Sequence, residues 1–147
     1  MRIAILVLAV LAVAVLGAAV LFRLAPMPPE RWHADPATAT PPGTPNYALR
    51  AGDSAARIDS PPTTVAARLA AVAEADGATL IAGDLAQGHA TYVARTRLMG
   101  FPDAVSIRLS PEGEGTRVEI FSRSRFGQSD LGVNAARVAR WIDAATP

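Results

Sequence analysis

One uninterrupted apolar run near the N-terminus constrains this chain more than any other feature of its sequence. Residues Ile3–Phe22 contain no polar or charged side chain, and Arg2 and Arg23 flank them. A helix rises about 1.5 Å per residue, so a run of this length extends about 30 Å, the hydrocarbon thickness of a bilayer. The run therefore predicts a transmembrane anchor within residues 1–24.

A cleaved secretory signal peptide is the alternative interpretation of this run. Signal peptides have a shorter apolar core of about 7–15 residues followed by small residues, and the small residues at 17–19 offer such a cleavage site. The length of the run favours an uncleaved, single-pass anchor. A short tail before the helix and a long domain after it predict a bacterial inner-membrane protein with its domain in the periplasm, although the positive charges flanking the helix are nearly balanced.

The composition of the rest of the chain excludes several classes of function. Two of the 14 arginines flank the apolar run, so the remainder has 12 arginines against 13 acidic residues. A nucleic-acid-binding domain is expected to be basic, so no nucleic-acid partner is expected. The absence of cysteine excludes disulfides and thiol catalysis. With only two histidines, neither a metal site nor a cofactor is expected.

The segment after the anchor is rich in proline, alanine and threonine and has no apolar periodicity. Residues 25–45 are therefore predicted to form an extended linker that holds the domain away from the membrane. Trp32 beside Arg31 has two possible locations, the lipid headgroups or the surface of the domain. Residues 46–147 then form the predicted domain.

Within this domain, the spacing of apolar residues predicts two helices and several strands. Asn46–Ala51 is a short strand candidate, and a helix begins after Ser60 and ends at Gly77. Four alternating segments joined by glycine-containing loops follow, which is typical of hairpins. A last helix begins near Asp130, a suitable cap. The predicted fold class is α+β, with an antiparallel β-meander of about four strands packed against two helices after the transmembrane helix.

The alternation within these strands predicts an arginine-rich sheet face. Side chains two positions apart on a strand point the same way, so apolar residues face the helices. The opposite face then carries Arg95, Arg97, Arg108, Arg117 and Arg123. With the nearby start of the last helix, this face is a candidate anion site, because guanidinium groups and helix N-termini bind anions. The candidate ligand-binding residues are Arg95, Arg97, Arg108, Arg123, Arg125, Ser129, Asp130 and Asn134.

Three short segments resemble a known family. They are Met99–Asp103, Ser122–Gly127, and Ser129–Asn134 followed by Arg137. They resemble the domain of unknown function 1499 family of bacteria and plastids, and the resemblance extends over roughly residues 46–145. It implies domain boundaries but no activity. The chain departs from the family at Pro102, where a second acid is common, and at Tyr47, near which a cysteine is common.

These observations predict a membrane-anchored, non-enzymatic accessory or binding domain that recognises an anionic ligand, a lipid headgroup or a protein partner. One alternative is a small serine-type hydrolase that uses Ser129, Asp130 and His89, although the segment lacks the last glycine of a nucleophile elbow. A second alternative is a structural subunit of a membrane protein complex. The element order also resembles a helix-grip arrangement, which implies a pocket for a lipid-like ligand.

Overall fold

The apolar run forms one long helix. In the computed structural model, which describes residues 1–147, helix α1 extends from Arg2 to Leu24 and is exposed along most of its length. It is the one helix long and apolar enough to cross a membrane. At about 1.5 Å per residue it is about 34 Å long, so it ends close to the boundary of the hydrocarbon layer if it spans a bilayer.

A six-stranded antiparallel sheet forms the centre of the domain. The strands are β1 Tyr47–Arg50, β2 Ala56–Ile58, β3 Thr79–Asp84, β4 His89–Arg95, β5 Pro102–Glu112 and β6 Gly115–Ser124. Their order is β1–β6–β5–β4–β3, and β2 also pairs with β6. Strands β3 to β6 form the predicted meander. The additional strands β1 and β2 are two parts of one edge, separated by the 3₁₀ turn Gly52–Ser54.

Two helices cover one face of this sheet and form the main core. Helix α3, Pro62–Ala75, begins with proline in its first turn, where the missing N–H has no partner to lose. Helix α4, Val133–Ala145, buries Trp141 completely. Their apolar sides enclose a cluster of 17 buried residues that includes Leu69 and Ile107. The α+β prediction is confirmed, with six strands instead of about four.

The other face of the sheet is covered by residues 25–36, which we call the strap. The strap includes the short helix α2, Pro29–Trp32. Met27 and Trp32 are each 8% exposed and pack against Val93 and Ala104 on the sheet. The first part of the predicted linker thus lies on the domain instead of extending from it. The physical reason is that Val93 and Ala104 interrupt the polar face and need apolar cover.

Four of the five arginines predicted on this face do lie on it. The pairing register places Arg95, Arg108, Arg117 and Arg123 on the side opposite the helices. The prediction for Arg97 is wrong, because β4 ends at Arg95 and the chain then turns through residues 96–101. Gly100 N–H donates to the carbonyl of Thr96 at 2.8 Å and closes this turn. Arg97 is exposed in the turn.

Candidate functional site

Three of the predicted site arginines hold the strap on the sheet. Arg95 donates to the carbonyls of Phe22 and Ala25 at 2.8 and 3.0 Å, so it caps the last turn of α1. Arg123 donates to the carbonyl of Trp32 at 2.9 Å. Arg108 forms an ion pair with Asp35 of the strap. These guanidinium groups are therefore engaged by backbone carbonyls or a carboxylate of the same chain.

A pair of histidines lies further along the strap. The rings of His33 and His89 stack with centroids 4.1 Å apart and planes inclined by 20°. His33 Nδ1 lies 2.8 Å from Thr91 Oγ1, and His89 Nε2 donates to the carbonyl of Ala34 at 3.1 Å. Burial and the neighbouring His89 lower the pKa of His33, while Asp35 acts in the opposite direction. A neutral His33 is thus part of the contact between strap and sheet.

The proposed partners of a serine hydrolase are not brought together. His89 begins β4, whereas Ser129 shares a cleft with Thr96, which follows the last residue of that strand. Six residues of strand separate the two ends by about 20 Å. The Ser129 hydroxyl accepts the backbone N–H of Leu131 at 3.2 Å. A base within hydrogen-bond reach, which a serine nucleophile requires, is absent here.

Side chains of Ser122, Asn134 and Arg137 form a buried polar network. Arg137, 5% exposed, forms an ion pair with Asp103 at 2.8 Å, and Asn134 is fully buried. Asn134 donates to Ser124 Oγ at 2.9 Å and to Asp130 Oδ2 at 2.7 Å. Burial alone would raise the pKa of Asp130, but hydrogen bonds from Asn134 and Gly132 lower it. Asp130 and Asn134 thus join the start of α4 to β6.

A polar cavity of about 340 Å³ lies beside this network, between the strap and the end of β6. We call it the arginine pocket, because Arg31, Arg123 and Arg125 line it. Its remaining lining residues are Trp32, Thr40, Pro42, Thr44, Asn46, Ser124 and Gly127, and none of them is acidic. None of the three arginines forms an ion pair, although five other arginines of the chain do. The pocket therefore carries uncompensated positive charge.

Two residues that line the arginine pocket each have a buried donor without a hydrogen-bond partner. The donors are Nη1 of Arg123 and Nε1 of Trp32. Arg123 lies over the rings of Trp32 and Phe121, 5.2 and 4.5 Å from their centroids, and burial lowers its pKa to about 10. The group stays charged at neutral pH. Buried polar groups in proteins are almost always satisfied, so these two donors are exceptions within the chain.

An apolar cleft of about 280 Å³ adjoins the arginine pocket, and Ser124 and Gly127 line both. Its apolar walls are Leu98, Met99, Phe101, Phe126, Leu131 and Val133. Sequence reasoning missed this cleft, because its walls come from two loops without periodicity. It also missed Arg31 as a site residue. The signal for Arg31 was Trp32, a large aromatic residue in an otherwise small and polar segment, which packs on the domain.

The family relationship agrees with this description of the domain. The model of a family described as Protein of unknown function (DUF1499) matches residues 30–144. The chain belongs to this family. The DUF1499 match begins inside the strap, so it includes Arg31 and Trp32 as well as the sheet, the arginine pocket and α4. No curated protein matches the chain.

Proposed function

We propose that this protein is a membrane-anchored, non-enzymatic binding module whose arginine pocket holds the phosphate group of an anionic ligand. Three guanidinium groups without an ion pair in an acid-free pocket carry this proposal, and the unpartnered buried donors of Arg123 and Trp32 add to it. Phosphate oxygens accept several hydrogen bonds at once, and guanidinium groups match them in geometry and charge. The guanidinium groups of Arg31 and Arg125 add charge at the same cavity and donate no hydrogen bond to the protein.

The position of the pocket supports a ligand at the membrane surface. The ring of Phe22, in the last turn of α1, lies 5.2 Å from that of Phe126. Arg125 in turn lies over Phe126, 5.1 Å from its centroid. In a bilayer with a hydrocarbon layer about 30 Å thick, α1 would span this layer and extend only slightly beyond it. The arginine pocket would then lie at the level of the headgroups.

Binding of soluble phosphate compounds to the full-length chain in detergent tests this proposal. Glycerol 3-phosphate represents a lipid headgroup, and inorganic phosphate represents the free ion. We expect calorimetry to show binding that the double variant Arg31→Gln/Arg125→Gln weakens at least about tenfold, because a charge-assisted hydrogen bond contributes about 1.5–3 kcal/mol. Tighter binding of glycerol 3-phosphate favours a lipid source, and tighter binding of inorganic phosphate favours the free ion.

The matched control is Arg57→Gln/Arg140→Gln. It removes the same charge from arginines that are exposed and paired with acids away from the pocket. Equal loss of affinity in both double variants would show a nonspecific charge effect and overturn the proposal. A further variant, Arg123→Gln, is expected to lose both binding and the strap contact to Trp32, which amide exchange would detect.

We also place the domain on the periplasmic side of a bacterial inner membrane. The length of the chain after α1 supports this orientation, because long domains cross the membrane largely regardless of their charge. Because the chain has no cysteine, a single Ala71→Cys change on the exposed side of α3 provides a unique label site. We expect a membrane-impermeant maleimide to label it in cells with intact inner membranes. Labelling only after lysis would place the domain in the cytoplasm.

A further inference from the structure

The apolar cleft presents more exposed hydrophobic surface than any other part of the domain. Leu98 is 83% exposed, Leu131 94% and Val133 42%. In the chain after α1, Leu80 is the one other large apolar side chain that is exposed to this degree. Exposed apolar residues that cluster around a concave surface mark a binding site or a membrane contact. The cluster therefore needs an occupant or a covering surface.

The backbone conformation of Leu131 also favours an occupant for the cleft. Leu131 has a φ of 53°, and it is the only non-glycine residue of the chain with a positive φ. The left-handed conformation is unfavourable for a residue with a branched side chain, by about 1–2 kcal/mol. Asparagine would tolerate it better and would suit an exposed position. A strained leucine whose side chain points into solvent gains nothing within the protein, which favours a role in contacting an apolar ligand.

The polar residues in the cleft wall are already occupied by partners. Asp103 is 1% exposed and is paired with Arg137. Asp130 accepts hydrogen bonds from the backbone N–H groups of Gly132 and Asn134. These carboxylates therefore repel an anionic headgroup from the cleft without offering it a donor. The cleft suits a hydrocarbon chain, and a phosphate belongs in the arginine pocket next to it.

The cleft opens where α1 meets the domain. The ring of Phe22 lies 4.3 Å from that of Phe101 and 5.2 Å from that of Phe126, and both of these line the cleft. Arg23 donates to the carbonyls of Arg97 and Leu98, each at 2.9 Å. The apolar surface of the helix thus continues into the apolar surface of the cleft. A chain leaving the bilayer beside α1 would meet this opening.

We infer that the ligand is an anionic phospholipid of the surrounding membrane, with one acyl chain in the cleft and its phosphate in the arginine pocket. This inference rests on the proposed function and adds the class of ligand. Ser124 and Gly127 line both cavities. Each of the two residues between them lines one cavity. Arg125 lines the arginine pocket and Phe126 the cleft. One amphipathic molecule across this segment satisfies both cavities.

Photo-crosslinking in nanodiscs tests the inference on the full-length chain. The probe is phosphatidylglycerol with a diazirine near the end of one acyl chain, in a phosphatidylcholine bilayer. We expect labelled peptides to include residues 98–101 and 126–133. The variant Leu98→Gln/Leu131→Asn should reduce this labelling at least about fivefold, because burying each leucine is strongly favourable. Leu80→Gln, an exposed leucine on β3 away from the cleft, is the control and should label like the wild type.

The outcomes separate this inference from the proposed function. Leu98→Gln/Leu131→Asn should bind glycerol 3-phosphate like the wild type, whereas Arg31→Gln/Arg125→Gln should lose both headgroup binding and cleft labelling. Labelling confined to α1, equal cleft labelling by a phosphatidylcholine probe, or crosslinks mainly between two copies of the chain would overturn the inference. If glycerol 3-phosphate binds in those cases, the proposed function stands alone. Absence of binding by both glycerol 3-phosphate and inorganic phosphate would overturn both.

The single variant Leu131→Asn tests whether reduced labelling results from a loss of stability. Because it relieves the left-handed leucine, we expect an unfolding temperature equal to or above that of the wild type. Reduced cleft labelling at undiminished stability would then report the ligand contact. A lower unfolding temperature would show that Leu131 serves the fold, and would overturn its assignment to the ligand.

Discussion

The two faces of the sheet are built by different physical means. The face under α3 and α4 packs apolar side chains into a cluster of 17 buried residues. The face under the strap has an apolar cluster of only four, which includes Trp32 and Val93, and depends on hydrogen bonds and ion pairs from arginines and histidines. Burial of apolar surface is the larger source of stability. The helix-covered face thus carries most of the stability of the fold, and the strap-covered face carries the candidate site.

The difference in apolar burial determines which part of the molecule opens most easily. Local opening occurs where few apolar contacts hold a segment, and the strap fits this description better than either helix. The unpartnered donors of Arg123 and Trp32 are also at the strap. The strap-covered face can keep unsatisfied donors because the opposite face stabilises the sheet independently.

The largest effect is expected on the helix-covered face. Trp141 is fully buried, packs edge-to-face on Tyr92 and donates from Nε1 to Asp76 at 3.0 Å. Trp141→Ala should lower the free energy of unfolding by about 3–5 kcal/mol, since it leaves a large cavity. Denaturant unfolding followed by circular dichroism measures this. Trp141→Phe, which keeps most of the volume, should lose clearly less, and equal losses would contradict a packing origin.

A comparable loss is expected from the polar network on the same side of the sheet. Arg137→Met would leave the carboxylate of Asp103 buried without its partner, which costs about 3–5 kcal/mol. Arg140→Met is the matched control, one turn away on α4, because Arg140 is exposed and pairs with Asp76 at 2.6 Å. Exposed pairs contribute about 1 kcal/mol or less. Similar unfolding midpoints for the two variants would show that burial does not distinguish these pairs.

A smaller and local effect is expected at the strap. Trp32→Ala removes the main apolar contact of the strap, but the sheet keeps the core under α3 and α4. We expect a loss in global unfolding free energy of roughly half that of Trp141→Ala or less. Hydrogen exchange should show lost protection in residues 25–36 and in the facing strands. Cooperative unfolding of the whole domain by Trp32→Ala would contradict the division between the two faces.

The sequence made the helix-covered face predictable and left the strap unrecognised. The alternation of Val105, Ile107 and Leu109 with polar residues identified β5 and its apolar side, because a strand repeats every two residues. The same period grouped Arg95, Arg108 and Arg123 correctly. The strap has no period, since its contacts come from isolated side chains such as Trp32 on an irregular backbone. The sequence still indicated that something covers this sheet face, because the apolar Val93 lies on the predicted polar face.

The candidate site was predicted only in part for a related reason. Arg123 and Arg125 were assigned from their strand positions, and the structure places both at the arginine pocket. Arg31 joins them from more than 90 positions away in the chain, which no local pattern reveals. Arg97 was misplaced because Thr96 accepts the N–H of Gly100 and closes a turn where alternation implied a longer strand. Tertiary contacts and turn chemistry, rather than propensity, decided these positions.

The smallest expected effect is a pH dependence of the strap, which originates at His33. Burial and the neighbouring His89 hold the pKa of His33 below its ordinary value of 6.5 when the strap is in place. The released strap therefore takes up the proton first, so acid favours release. The strap should be most stable above pH 6.5 and should lose stability as the pH falls below that value. The loss should level off below the lowered pKa.

Hydrogen exchange of residues 25–36 between pH 8 and pH 5, corrected for the intrinsic rate, measures this effect. His33→Gln keeps a polar side chain opposite Thr91 but cannot titrate, so its strap should show a flatter dependence. Asp35 and Arg108, which are paired beside the histidines, remain in both proteins, and the comparison cancels their contribution. An identical slope in the variant would assign the pH response to other groups. A flatter slope would show that the strap-covered face, unlike the helix-covered one, responds to mild acid.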